Sequence, residues 1–121
     1  MNKISQAELE IMNIIWHNEQ PITVSAIIGL MPDTKSRKYT TIATFVNRLK
    51  DKGFLTSRKS GAVNEYFAAI SEDEFRRAEA RDFVDSVYNG SSKGLIAALC
   101  SDKLSDDDFN ELMEWIEGKN I

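Results

Sequence analysis

Hydrophobic residues recur at helical spacing early in the chain, which predicts two helices before residue 32. The first helix begins after Ser5, whose pairing with Glu8 forms a capping box, and it ends before Pro21. Thr23 can cap a second, short helix that continues to Leu30. The core-facing residues of these helices are Leu9, Met12, Ile15, Trp16, Val24, Ile27, Ile28 and Met31. Residues 34–38 are polar and basic, and are predicted as a loop.

A third helix is predicted from about Thr40 to Lys52. Gly53 stands where a left-handed C-terminal cap belongs, and lysines in the last turn suit the negative end of the helix dipole. One face is apolar and comprises Ile42, Phe45, Val46 and Leu49. The opposite face comprises Thr40, Thr41, Ala43, Thr44, Asn47 and Arg48. Such a helix can be anchored on one side and free of bulky apolar groups on the other.

Two strand-like runs follow, at residues 54–59 and 65–70, with turn residues at 60–64 between them. An isolated hairpin is barely stable in water, so this one must lie against the helices, with Leu55, Tyr66 and Ala68 or their neighbours facing inward. A short strand at Ile22 would add a third strand. Three helices followed by a hairpin is the order of a winged helix.

The second part of the chain is predicted to be helical. Ser71 and Glu74 open a fourth helix through about Tyr88, residues 93–100 form a fifth, and Ser105 caps a sixth. The predicted fold class is mostly α with a small β-hairpin: a winged helix-turn-helix domain at residues 1–70, then a helical dimerisation domain at 71–121. The candidate dimer residues are Phe83, Val87, Leu95, Ile96, Leu99, Phe109, Leu112, Met113 and Ile116.

Charge is distributed unevenly between these two parts. The net charge of −4 combines nine basic and six acidic residues in 1–70 with six basic and thirteen acidic residues in 71–121. Residues 35–59 alone contain eight basic residues and one acidic residue, Asp51. A local cluster of this kind is typical of a protein that binds a polyanion.

The third helix has the features of a helix that contacts DNA bases. The major groove admits one α-helix, and Thr41, Thr44 and Asn47 lie three residues apart along one face. Threonine methyls suit the thymine methyl group, and asparagine can pair with the adenine edge. Lys38, Arg48, Arg58 and Lys59 suit phosphates, which provide affinity but no sequence choice. Thr40 and Ala43 complete the candidate DNA-binding set.

The composition favours no catalytic, metal or cofactor site. His17 is the single histidine, Cys100 the single cysteine, and the acidic run at 106–108 is explained by the positive first turn of a helix. We expect Cys100 to be a buried structural thiol, because it ends an apolar run. No signal peptide or membrane helix is apparent, which favours a cytoplasmic protein without membrane insertion.

Residues 39–55, YTTIATFVNRLKDKGFL, resemble the recognition-helix signature of the penicillinase, methicillin-resistance and copper-transport repressor family. Residues 4–12 with Trp16, residues 83–90 and residues 104–112 are also similar to that family. The resemblance implies a homodimeric winged-helix transcriptional repressor of pseudo-palindromic operators. In it Thr41, Thr44 and the polar face around them meet double-stranded DNA, Arg58 and Lys59 belong to the wing, and the helices after Ser71 form the dimer.

The resemblance also implies a membrane sensor-protease pathway that releases antibiotic-responsive members by cleaving the dimer domain. Their cleavage pair is Asn-Phe, and the aligned pair here is Ala98-Leu99, so the sequence leaves open whether and where this chain is cleaved. Copper-responsive members have a cysteine-rich tail, whereas residues 117–121 contain no cysteine, so copper release is not expected. The operator sequence, the regulated genes and the inducing signal are not given by these residues.

The acidity of the whole chain and the apolar later helices support an alternative. A protein-interaction adaptor could keep a winged helix without binding DNA. A duplex-binding assay at low salt, combined with affinity capture of partners, separates the two hypotheses. An enzyme has no candidate site in this sequence.

Overall fold

The computed structural model describes residues 3–32, 38–102 and 104–119. The chain divides into two compact units, residues 1–77 and residues 78–121. The first unit contains helices α1 (Gln6–Trp16), α2 (Val24–Leu30) and α3 (Tyr39–Asp51), the strands β1 (Leu55–Ser60) and β2 (Val63–Ala68), and the start of α4 (Glu72–Val87). The second unit contains the rest of α4, then α5 (Ser92–Asp102) and α6 (Asp106–Lys119). The predicted loop at 34–38 lies outside the described residues except for Lys38.

Side-chain caps begin α1 and α2 where the sequence predicted them. Ser5 Oγ accepts the Glu8 N–H at 3.2 Å, and Glu8 Oε1 accepts the Ser5 N–H at 2.8 Å, so the capping box is confirmed. Thr23 Oγ1 accepts the N–H of Ala26 at 3.1 Å. These bonds satisfy backbone donors that the first turn of a helix leaves unpaired.

The third helix starts one residue earlier than predicted, at Tyr39, and Lys38 is its N-cap. Ile42, Val46 and Leu49 are buried, so the predicted inward face is confirmed. Gly53 follows with φ +89°, a left-handed conformation that glycine adopts without a Cβ penalty. The helix therefore has one buried and one exposed face and a sharp end.

The hairpin has a tighter turn than the sequence analysis predicted. Ser60 pairs with Val63, which leaves only Gly61 and Ala62 in the loop, so the predicted turn at 60–64 and second strand at 65–70 were wrong. Gly61 has φ +64° at the first loop position, where two-residue hairpin turns favour glycine. The second strand also ends early, at Ala68. Where a third short strand was predicted, Ile22 forms only an isolated bridge with Tyr66, and the sheet of the described residues has two strands.

The core of the first unit joins all its elements. Its buried members are Ile11, Met12, Ile15, Ile22, Val24, Ile27, Met31, Ile42, Val46, Leu49, Phe54, Leu55, Tyr66 and Phe75. Phe75 lies on α4, with its ring 5.3 Å from that of Trp16 and 5.9 Å from that of Phe54. The first turns of α4 therefore belong to the first unit, which explains why the units divide after residue 77 and not before α4.

The second unit consists of helices joined by short connections. Asn89 and Gly90, both with positive φ, follow the end of α4, and Ser105 Oγ caps α6 by accepting the Asp108 N–H at 3.1 Å. The fifth helix is longer than the predicted 93–100. Cys100 is half-buried and not buried as expected, because a unit of this size can enclose few side chains. Within the described ranges, no helix has the length and apolar character needed to span a bilayer.

Candidate nucleic-acid interface

The outward face of α3 is polar and accessible. Lys38, Thr40, Thr41, Thr44, Asn47 and Arg48 are all exposed, and Ala43 is half-buried. The buried residues Ile42, Val46 and Leu49 fix the opposite face in the core. The sequence-predicted site residues of this helix are therefore brought together on one free surface.

Two side chains on this face are held by contacts within the helix. Thr44 Oγ1 donates to the carbonyl of Thr40 at 2.8 Å, so its hydroxyl proton is engaged while its oxygen can still accept a hydrogen bond. The guanidinium of Arg48 lies 5.8 Å from the ring centroid of Phe45, a cation–π distance that holds the arginine along the helix. Both contacts restrict the side-chain rotamers in the unbound chain. Less conformational entropy is therefore lost when a partner binds this face.

The hairpin β1–β2, which we call the wing, presents Arg58 and Lys59 as exposed side chains. Arg58 is also engaged on the wing itself: its Nε lies 3.2 Å from Glu65 Oε1, and its guanidinium lies 5.2 Å from the centroid of Phe67. Glu65 therefore offsets part of the positive charge that the sequence assigned to Arg58.

A cleft of about 230 Å³ separates α3 from the tip of the wing. Its lining includes Ala43 and Asn47 from the predicted site, together with Tyr39, Val63 and Asn64. The sequence analysis missed the last three. Tyr39 is 56% exposed at the start of α3, and Asn64 follows the first residue of β2. A two-residue turn at Gly61 and Ala62 is the sequence signal that would have identified Asn64 as a site candidate. Such a turn places Asn64 on β2 and not in the loop.

The basic cluster at residues 35–59 does not act as a single surface. Lys52 Nζ lies 2.8 Å and 3.1 Å from the two carboxylate oxygens of the buried Glu8, so this lysine belongs to an internal ion pair. Lys35 and Arg37 lie outside the described residues. Among the described basic residues of this cluster, those that are exposed are Lys38, Arg48, Lys50, Arg58 and Lys59.

The second unit exposes many large apolar side chains. Of the predicted dimer residues, Phe83, Val87, Ile96, Leu99, Phe109 and Met113 are exposed, and Leu95, Leu112 and Ile116 are half-buried. Trp115, 62% exposed, was not in the predicted set. The rings of Phe83 and Tyr88 lie 5.8 Å apart within the unit. Apolar side chains exposed in such number indicate an interaction surface.

The single histidine makes a contact within the first unit. His17 Nε2 lies 2.9 Å from Glu72 Oε2, and this contact joins the end of α1 to the start of α4. No group of three potential metal ligands occurs in the described part of the chain.

Comparison with known proteins agrees with this arrangement. The model of the penicillinase repressor family matches residues 4–118. The penicillinase repressor of Bacillus licheniformis is 33% identical over 116 residues, which cover 95% of this chain and 90% of that protein. The methicillin resistance regulatory protein MecI of Staphylococcus aureus is 30% identical over 118 residues, covering 97% of this chain and 95% of that protein.

A solved structure supports the winged-helix fold. It is a solution structure of the Bacillus licheniformis BlaI monomer in complex with the blaP half-operator. It is 36% identical to this chain, with a TM-score of 0.50, over 60% of this chain and 88% of that one. The predicted fold class, mostly α with a winged-helix domain, is confirmed.

Proposed function

This chain belongs to the penicillinase repressor family, and we infer from this membership that it is a DNA-binding transcriptional repressor and not an enzyme. Beyond that membership, we propose that it binds a pseudo-palindromic operator as a homodimer, with α3 as the recognition helix. The proposal depends above all on one observation: Thr41, Thr44 and Asn47 are exposed on α3 while Ile42, Val46 and Leu49 hold its other face in the core.

Base contacts come from the N-terminal part of α3. Recognition helices in helix-turn-helix proteins touch bases mainly through their N-terminal residues, which here are Thr40, Thr41 and Thr44. Ala43 is small enough to allow close approach, and the carboxamide of Asn47 can pair with an adenine edge. With its hydroxyl proton donated to Thr40, Thr44 offers an acceptor oxygen and a methyl group to the groove.

Phosphate contacts come from residues beside this face. Lys38 at the start of α3, Arg48 on the helix, and Arg58 and Lys59 on the wing are exposed cations. The DNA backbone passes the cleft between α3 and the wing, where Tyr39 and Asn64 supply neutral donors. All of these contacts fix the register of the complex, and the cationic side chains among them account for the salt dependence of binding.

The second unit forms the dimer. Its exposed apolar residues, Phe83, Val87, Ile96, Leu99, Phe109 and Met113, become buried against the same residues of another copy, as the two-fold symmetry of a homodimer requires. Leu95, Leu112 and Ile116, half-buried in the single chain, complete the interface. Two linked DNA-binding units gain from effective concentration, so the dimer binds a double site more tightly than one unit binds a half-site.

Release and location follow from this arrangement. Loss of the second unit, for example by a membrane sensor-protease pathway, removes that gain and frees the operator. Ala98 and Leu99 lie within α5, where cleavage requires the helix to open first. A repressor of chromosomal operators acts in the cytoplasm.

The proposal is tested by selecting sequences from a pool of random duplexes with the full chain, then measuring affinity for the selected duplex. Thr44→Tyr and Arg48→Glu are expected to lower that affinity at least about tenfold while the dimer persists in sedimentation. Arg81→Glu, the same charge change on an exposed residue of the second unit, serves as the control. Unchanged affinity in both α3 variants contradicts the proposal. Failure to bind any duplex at low salt, together with tight capture of a protein, supports the adaptor alternative.

A further inference from the structure

A buried ion pair joins the beginning of α1 to the end of α3. The side chain of Glu8 is 2% exposed, and that of Lys52 is 31% exposed. Lys52 Nζ lies 2.8 Å from Glu8 Oε1, 3.1 Å from Glu8 Oε2 and 2.9 Å from the carbonyl oxygen of Lys3. An ammonium group has three N–H donors, and three acceptors within the protein stand at hydrogen-bond distance.

The carboxyl of Glu8 is held in its charged form. Burial by itself would raise the pKa of Glu8, but the hydrogen bonds from Lys52, from the Ser5 N–H and from the Ser5 hydroxyl outweigh it and lower the pKa. Lys52 is also the C-cap of α3, where a positive charge is favoured by the helix dipole. The hydrogen bonds to Glu8 and to the Lys3 carbonyl orient the ammonium toward the protein.

Because this pair lies at the C-terminal end of α3, a small change of helix angle there displaces residues at the N-terminal end. Lys52 and Thr41 are eleven residues apart, which corresponds to about 16 Å along a helix. A tilt of about 5° at the Lys52 end moves Thr41 by roughly 1.4 Å, several times the distance range that a hydrogen bond tolerates. Apolar packing of Ile42, Val46 and Leu49 is non-directional, whereas hydrogen bonds to Glu8 have defined directions.

We propose that Glu8 and Lys52 are positioning residues that set the angle of α3 for base contacts, and so contribute to sequence discrimination and not to phosphate binding. A buried ion pair is weak evidence for net stability, and in some proteins such pairs select one conformation among alternatives. The inference rests on the proposed function, in which α3 is the recognition helix.

The test compares four variants of the full chain on two duplexes. Each duplex has about 30 base pairs, which is three helical turns. The first is selected by the wild-type chain from a random pool, and the second has the same base composition in scrambled order. Glu8→Gln keeps the size of the side chain and removes its charge, and Lys52→Met keeps the aliphatic stem. Lys52→Arg retains the charge and the donors. Lys50→Met, the same charge change two residues away on an exposed side chain, is the matched control.

Affinity is measured by fluorescence anisotropy over a range of salt concentrations, at a temperature where circular dichroism shows each variant to be folded. Glu8→Gln and Lys52→Met are expected to lose about tenfold in affinity for the selected duplex, the equivalent of one base contact. Their affinity for the scrambled duplex and the slope of log K against log salt stay as in the wild type. Lys52→Arg restores most of the selectivity, and Lys50→Met leaves the ratio of the two affinities unchanged.

Two results overturn the inference while leaving the proposed function intact. If folded Glu8→Gln binds both duplexes as the wild type does, the pair serves stability alone. If Lys52→Met weakens both duplexes in parallel and lowers the salt slope by about 0.9, Lys52 contacts a phosphate. Should Lys52→Met fail to fold, Glu8→Gln and Lys52→Arg still decide the question. If the wild-type chain selects no duplex, the proposed function fails, and this inference fails with it.

Discussion

Arg58 and Glu65 stand opposite each other across the wing, with Arg58 Nε 3.2 Å from Glu65 Oε1. The guanidinium also lies over the ring of Phe67, which keeps it on the wing surface. The charge that the sequence offers for a DNA phosphate is therefore partly offset before any DNA arrives. When DNA binds, the Arg58 guanidinium exchanges the Glu65 carboxylate for a DNA phosphate. The free energy gained from the phosphate contact is reduced by the free energy of the contact with Glu65 that is lost.

Replacing Glu65 by glutamine is therefore expected to strengthen duplex binding. An exposed ion pair of this kind contributes about 0.2–1 kcal/mol, so the gain is up to roughly fivefold at low salt and smaller at high salt. Selected and scrambled duplexes gain alike, because phosphates carry no sequence information. Anisotropy titrations at several salt concentrations measure this, with Glu79→Gln in the second unit as the control. Weaker binding in Glu65→Gln would mean that Glu65 orients Arg58 for its phosphate.

Asn47→Ala is expected to relax sequence preference at one base position of each half-site. An asparagine that pairs with a base edge contributes about 1–3 kcal/mol of discrimination there and leaves other positions unaffected. Repeating the selection from random duplexes with this variant shows the position as a loss of preference for one base. An unchanged selected sequence would remove Asn47 from the base-contacting set.

The position of Phe75 in the first core makes a specific prediction for truncated chains. A fragment of residues 1–77 keeps the contacts of Phe75 with Trp16 and Phe54, and we expect it to be a folded monomer. A fragment of residues 1–70 loses this ring and is expected to be about 3 kcal/mol less stable, as for a large-to-small core substitution. Urea unfolding and sedimentation measure both properties. A fragment 1–77 that sediments as a dimer would place the interface in the first unit.

Acid is expected to destabilise the first unit through Glu8. Because the folded state lowers the pKa of this carboxyl from its ordinary 4.5, its stabilising contribution is present above that pH and is lost as the pH falls through the lower folded value. In Glu8→Gln the unfolding free energy should therefore depend less on pH below about 4.5. Urea unfolding from neutral pH to about pH 3 tests this, with Glu19→Gln, on an exposed carboxylate, as the control. A pH dependence as steep as that of the wild type would contradict the assignment.

Local sequence signals predicted most elements of the fold. The capping residues Ser5 and Thr23 and the glycine at position 53 mark helix ends through contacts only a few residues long, and the structure confirms all three. The buried face of α3 followed from spacing alone. The wing turn was misplaced because Ser60 and Asn64 are typical turn residues, and Val63, although β-branched, was assigned to the turn between them. Pairing across the hairpin places all three on strands.

Contacts between distant residues could not be predicted in the same way. Lys52 was counted with the basic cluster because its partner, Glu8, lies 44 positions earlier and already had a local role in the capping box. Phe75 fell in the predicted second domain for a similar reason: nothing near it in sequence indicates the rings of Trp16 and Phe54. Tyr39 and Asn64 became site candidates only once α3 and the wing were placed side by side.

A titration of the labelled full chain with a selected duplex, followed by amide NMR, shows directly which elements contact DNA. We expect the largest shift changes at residue 38, at residues 39–48 of α3 and at residues 58–65 of the wing, and small changes at residues 6–16 of α1. Titration with a scrambled duplex should perturb the exposed cations on these elements more than Thr41, Thr44 and Asn47. Changes confined to residues 78–121, or none at α3 under conditions where the duplex is bound, would contradict the account.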